Sequence, residues 1–148
     1  MMAKPIKDID RGYSEFVKGF AALDGLGVTI GIHAEEGSEL AVIAASHEFG
    51  TDTVPERSFL RATLDEQDGA YREATADAIR SVLDGKRSAQ VALERLGLRV
   101  VRDVQGKIRS GLDPALAPAT IAAKGSSKPL IDTGRLLRSI TYQVRRAR

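Results

Sequence analysis

The chain has 148 residues, of which 43% are hydrophobic and 28% charged, and its net charge is +2; this length buries roughly two-thirds of the unfolded surface in one core without a metal or disulfide staple. It contains no Cys and no Trp, which excludes disulfide scaffolds, thiolate zinc sites, iron–sulfur clusters and cysteine nucleophiles. No apolar run approaches a membrane span, and Met1 to Pro5 lead into Asp8 and Asp10 without an apolar signal core, so an aqueous compartment is expected.

From Ile9 onward Tyr13, Phe16, Val17, Phe20 and Leu23 recur at three- and four-residue spacing, which predicts a helix ending near Asp24 and Gly25. In residues 26–34, Leu26, Val28, Ile30 and Ile32 alternate with small or polar residues, the pattern of a half-buried strand. After a turn at Glu35, Glu36 and Gly37, Ser38 is the expected cap of a short helix carrying Ala41, Val42, Ala44, Ala45 and Phe49, and Gly50 stops it. A loop runs from Thr51 to about Ser58, because Pro55 pushes Val54 away from helical geometry.

Residues 59–84 place Leu60, Leu64, Tyr71, Ala74, Ala78 and Val82 at near-heptad spacing and predict one long amphipathic helix. A second opens at a Ser88 cap and runs through Leu93, Leu96, Val100, Val101, Val104 and Ile108 to Gly111. The short link Gly85, Lys86, Arg87 makes the two an antiparallel hairpin. Leu112 to Asp132 is rich in Pro, Gly and Ser, with at most one helical turn near 120–123; it reads as an extended assembly loop, mobile in the free subunit and ordered by neighbours. Asp132 or Thr133 is expected to cap a short helix at 134–138, and a strand follows at 139–145. The reading is an α+β fold in a single domain over residues 1–148. A small antiparallel sheet of 26–34 and 139–145 packs against the N-terminal helix and the long helical hairpin.

Divided along the chain, the charge is 0 for residues 1–34, −8 for 35–84 and +10 for 85–148. An acidic middle followed by a basic end suits either nucleic-acid affinity or docking of one copy's acidic face on the next copy's basic face. Chemistry is harder to find. His33 and His47 are the only histidines, and Thr51 stands where a zinc-protease motif beginning at His47 needs its second His. Gly25, Gly27 and Gly31 precede and interrupt a strand, so no helix N-terminus follows to receive a phosphate. Neither a catalytic site nor a cofactor or metal is expected.

Two segments are more specific. His47-Glu48-Phe49-Gly50-Thr51 is followed by Pro55-x-Arg57-x-Phe59-Leu60, and the C-terminal part carries Leu130, Thr133, Gly134, Leu136, Ser139 and Ile140. Together they resemble the neck and tail-completion proteins of tailed bacteriophages. In those families a His/Glu-Phe/His-Gly-Thr segment precedes Pro-x-Arg-Pro-Phe-Leu, and Leu-x-x-Thr-Gly-x-Leu-x-x-Ser-Ile comes later. Ser58 stands where Pro is usual. The resemblance covers most of the chain and implies a non-enzymatic virion protein at the head–tail junction. Such a protein forms a head-to-tail ring, hexameric or larger, that terminates the tail or joins it to the head. Its partners would be further copies of itself, connector or head-closure proteins, and tail-tube proteins. Contact with passing DNA remains open, and no membrane is involved. Arg99, Arg102, Arg135 and Arg138 are the candidate intersubunit charges. The other reading is a nucleic-acid-binding module using the basic C-terminal third, against which stand the 5% aromatic content and the lack of a helix-turn-helix.

Overall fold

A computed structural model describes residues 12–33, 37–116 and 134–146, with residues 118 and 122. The elements are α1 (Tyr13–Leu23), β1 (Leu26–Gly31), α2 (Ser38–Phe49), α3 (Leu60–Glu66), α4 (Asp68–Leu83), α5 (Ala89–Ser110), α6 (Arg135–Ser139) and β2 (Thr141–Arg146). The fold is α+β, and α5 is its axis. Apolar spacing on α5 buries Ala89, Ala92, Leu93, Val100, Val104 and Ile108 along its length, and the Ser88 hydroxyl caps its start by accepting from the Val91 N–H.

Two core clusters form along this helix. At its N-terminal end Val82, Ala89 and Ala92 pack together with Leu23, Leu26 and Ala78. Toward its C-terminal end Val104 and Ile108, both fully buried, gather Ala44, Phe59, Val100, Leu112, Leu136 and Ile140.

β1 and β2 pair antiparallel, with Val28 opposite Val144 and Ile30 opposite Tyr142. This is the expected sheet, since opposed residues share a face and these four are the apolar set that needs cover. That face lies on α5. Tyr142 comes so close that a Cβ at Gly97 would sit 2.6 Å from its Cγ; only a residue without a side chain admits the ring there. On the other face His33 bridges the Thr29 and Thr141 hydroxyls at 3.0 Å each.

α4 and α5 form the expected hairpin. Glu66, at the end of α3, pairs with Lys107, the Tyr71 hydroxyl of α4 donates to Asp103 at 2.8 Å, and Val82 meets Ala89 and Ala92, so contacts ascend through α3 and α4 as they descend along α5. Burial and the Asp103 carboxylate together raise the Tyr71 pKa, which keeps the hydroxyl a donor.

Several expectations are corrected. The single helix over 59–84 is two, α3 and α4, separated at Gln67 with φ −107° and ψ 9°. The polar run Asp65 to Gly69 offers no apolar residue to hold a continuous turn against α5, and Gly69 is a weak helix former. The N-terminal helix packs on α4 more than on the sheet, and it does so through Gly19, where a Cβ would lie 2.8 Å from the Val82 carbonyl oxygen. That backbone-close approach leaves its apolar stripe outside: Tyr13 is 76% exposed, Phe20 65%, Phe16 47% and Val17 45%.

The residue at the α2 N-cap is Gly37, with Ser38 the first helical residue. Gly134, at φ 68°, is the N-cap of α6, whereas Asp132 and Thr133 lie outside the described residues. Ser139 ends α6 instead of starting the strand. Of the predicted 112–132 loop, the first five residues are described and held: Leu112 is buried in the core. Apart from residues 118 and 122, the segment 117–133 lies outside the described residues, as do Ile9 and residues 34–36.

Candidate functional site

The segment from His47 to Arg61 folds back on itself around one carboxylate. Glu48 sits at the end of α2, 4% exposed, and faces the start of α3, where backbone N–H groups have no intrahelical acceptor. Its Oε2 accepts from the N–H of Phe59 at 2.9 Å and of Leu60 at 3.0 Å, while Oε1 accepts from the Arg61 N–H at 2.9 Å and the Ser58 hydroxyl at 2.8 Å. Burial alone would raise the carboxyl pKa; the backbone N–H groups of Leu60, Arg61 and Phe59 and the Ser58 hydroxyl outweigh it, so the group titrates below its ordinary value of 4.5. A glutamate twelve residues upstream of its first residue thus acts as the N-terminal cap of α3, with the positive end of the helix dipole beside it.

Arg61 closes the node from outside. Its guanidinium donates to the Glu48 carboxylate at 3.1 Å, to the Glu48 carbonyl at 2.7 Å and to Glu56 at 2.8 Å, and it lies 4.7 Å from the Phe49 ring centroid. Gly50, at φ 73°, turns the chain where a Cβ would meet the Glu56 nitrogen at 3.0 Å. Thr51 then accepts the Val54 N–H on its hydroxyl at 3.0 Å, forming a side-chain turn that presents Pro55 at the surface.

Arg57 is 5% exposed and reaches the other way. Its N–H bonds the His47 carbonyl at 2.7 Å, and its guanidinium donates to the Pro114 carbonyl at 2.6 Å and the Ala115 carbonyl at 3.3 Å. The first motif is therefore a clamp on the start of the 112–132 segment. Arg57→Ala is expected to lower stability by about 2–3 kcal/mol, because two carbonyls lose a charged donor. Arg57→Lys should recover only part of that, since an ammonium does not span both carbonyls. Urea denaturation of the three proteins checks both statements.

The second motif enters the same core. Leu136 and Ile140 are 7% and 1% exposed and pack in one cluster with Phe59, and the Ser139 hydroxyl donates to the Leu136 carbonyl at 2.8 Å. Leu60 packs at the edge of this cluster. Leu130 and Thr133 lie outside the described residues. Between the motifs lies an open cleft of about 210 Å³, lined mainly by Ala41, Ala45, Phe49, Leu60, Ile32 and Ile140.

Arg99, Arg102, Arg135 and Arg138 are all exposed, and Arg99 lies 5.9 Å from the Tyr71 ring centroid. The first pair stands on α5 and the second on α6, two helices that meet where the Gln105 side chain donates to the Leu137 carbonyl. Part of the acidic middle is answered within the chain, by Glu48 and Glu56 with Arg61, Glu66 with Lys107, Asp68 with Arg72, Asp77 with Arg80 and Asp84 with Lys86.

Sequence reasoning missed Ser58 and Arg61 as members of the node. The only signal was that Ser58 immediately precedes the predicted helix start at residue 59, where a capping hydroxyl is common; Arg61, inside its first turn, gave none. Among the described residues, no group of three or more His, Cys, Asp or Glu is placed to hold a metal ion, and no helix is long and apolar enough to cross a membrane. Comparison of the chain with family models, with curated proteins and with solved structures gives no match.

Proposed function

We propose that the chain is a structural subunit of the head–tail junction of a tailed bacteriophage. In this reading copies close head to tail into a ring, hexameric or larger, that ends the tail tube or joins it to the connector, and the protein resides at the neck of the virion. The observation that supports it is the Glu48 node with its neighbouring core. The residues that carry the resemblance are spent on capping, turning and packing, as Glu48, Gly50, Arg57, Phe59, Leu136 and Ile140 are, and such roles suit an assembly protein better than an enzyme. Particles made without this protein test the proposal by negative-stain microscopy. Overlong tails are the result expected of a terminator, and normal tails detached from heads that of a joining protein; intact, infectious particles would refute both.

A nucleic-acid reading draws on a different observation. Arg87, Arg95 and Arg99, together with one carboxylate, Asp77, line one open cleft of about 260 Å³ between α4 and α5. If phosphate contact is the purpose, duplex DNA binding by the isolated chain falls steeply with salt, and charge removal at these three positions abolishes it.

A further inference from the structure

Two helices turn an apolar seam to solvent. On α1 it is Tyr13, Phe16, Val17 and Phe20, at the i, i+3, i+4, i+7 spacing that ordinarily faces a core. On α2 the outward side carries Val42 and Phe49, 65% and 64% exposed, and Ala41 and Ala45 lie between them and the buried Leu40, Ala44 and Glu48. None of these eight residues is charged, and on the α2 side the Arg61 guanidinium lies 4.7 Å from the Phe49 ring centroid. The two stand at opposite ends of the molecule: α1 lies over the cluster at Ala89 and Ala92, and α2 over the cluster at Val104 and Ile108. Ala92 and Val104, the nearest of these positions on α5, are about 18 Å apart at about 1.5 Å per residue.

We infer that a second copy of this chain covers them, the α1 seam of one copy seating on α2 and in the adjoining cleft of the next. Shape favours this pairing. The α1 seam is convex and aromatic, whereas the α2 face is floored by alanines beside a cleft of about 210 Å³; a cavity on the order of 150 Å³ already accepts a benzene ring. Area favours it too. Covering both seams removes roughly 750 Å² of apolar surface, taking about 200 Å² for a full aromatic side chain. That matches the apolar share of a standard-size interface of about 1,200–2,000 Å².

A two-fold contact of α1 with α1 would bury that seam twice and leave α2 open. The heterologous contact covers both seams with one interface and repeats from copy to copy. This inference deepens the ring proposal by naming its faces, and it requires only that copies associate.

The test uses two variants of the full chain, Phe16→Asp with Phe20→Asp, and Val42→Asp with Phe49→Asp. All four positions are exposed, and circular dichroism establishes that each variant is folded. By light scattering at about 100 µM, wild type is expected to be oligomeric and each variant alone to run at the subunit mass of 15.9 kDa. An equimolar mixture is expected to give a species of twice that mass and nothing larger, because it restores one intact seam pair and no second.

A Val42/Phe49 variant that dimerises by itself would establish the two-fold contact and overturn the inference. A monomeric wild type would also overturn it. If the Phe16/Phe20 variant then melted several degrees lower than wild type, the cover would lie within the chain itself. Either failure leaves the head–tail reading to be judged separately, by whether particles lacking the protein have abnormal tails.

Discussion

Replacing Glu48 with alanine is expected to lower Tm by about 6–16 °C at pH 7. The side chain accepts hydrogen bonds from the Phe59, Leu60 and Arg61 N–H groups and from the Ser58 hydroxyl. Losing a helix cap costs about 1–2 kcal/mol, and buried donors left without an acceptor cost about 1–3 kcal/mol more. At the middle of these ranges the total is about 3–4 kcal/mol, and each kcal/mol moves Tm by about 2–4 °C in a chain of this size.

Glu48→Gln keeps the shape and one acceptor oxygen, and should lose roughly half as much. The pH dependence separates the two explanations. The carboxyl titrates below 4.5 in the folded chain, so its contribution is fully present above the unfolded value and disappears as the pH falls through the folded one. Melting curves between about pH 6 and pH 3 should show wild type approaching the glutamine variant as the pH drops. Parallel curves, or an alanine variant as stable as wild type at pH 7, would remove the cap from its place in the fold.

Gly97→Ala is expected to destabilise the protein although alanine is the better helix former. The propensity gain is about 1 kcal/mol. Against it, a Cβ at position 97 would meet the Tyr142 Cγ at 2.6 Å, Cδ2 at 2.7 Å and Cβ at 2.8 Å. The last of these belongs to the strand's own framework and cannot swing away, so α5 and β2 must separate. Overpacking of this kind costs about 1–3 kcal/mol, and Gly97→Leu should leave no soluble protein. The check is a double-mutant cycle with Tyr142→Gly, which removes the Cβ together with the ring, and in it the pair together should cost at least about 1 kcal/mol less than the sum. Additivity would mean that the ring does not rest on Gly97.

The sheet was legible in the sequence because Val28 and Ile30 needed alternating apolar partners, and Tyr142 and Val144 were the pair on offer. The α5 helix was legible for the same reason, its period being carried by large side chains and its start by Ser88. The role of Glu48 was not. A glutamate between a histidine and a phenylalanine at a helix end reads as a solvated charge, and nothing local reveals that helix α3 will begin in front of it twelve residues later. The division of residues 59–84 was hidden because the apolar period continues across Gln67 while the backbone does not. Periodicity also showed that α1 has an apolar stripe, but periodicity cannot say which way a stripe turns. That was decided by Gly19, whose bare backbone gives α4 a closer fit than Phe16 or Phe20 would.

The pairing of β1 with β2 joins stretches of chain more than a hundred residues apart, as in the contact of Thr29 with Gln143, separated by 114 positions. Closing so long a loop in one step is entropically unfavourable by about 4 kcal/mol, and an isolated two-stranded ribbon offers little in return. α5 divides the task. Both strands rest on it, so each needs only to find a helix already formed, across a shorter stretch of chain. Folding would then proceed from the local helical hairpin outward, with the strands meeting last on a template. Substitutions on the strands should hasten unfolding more than they slow folding, while those within α5 should act on both.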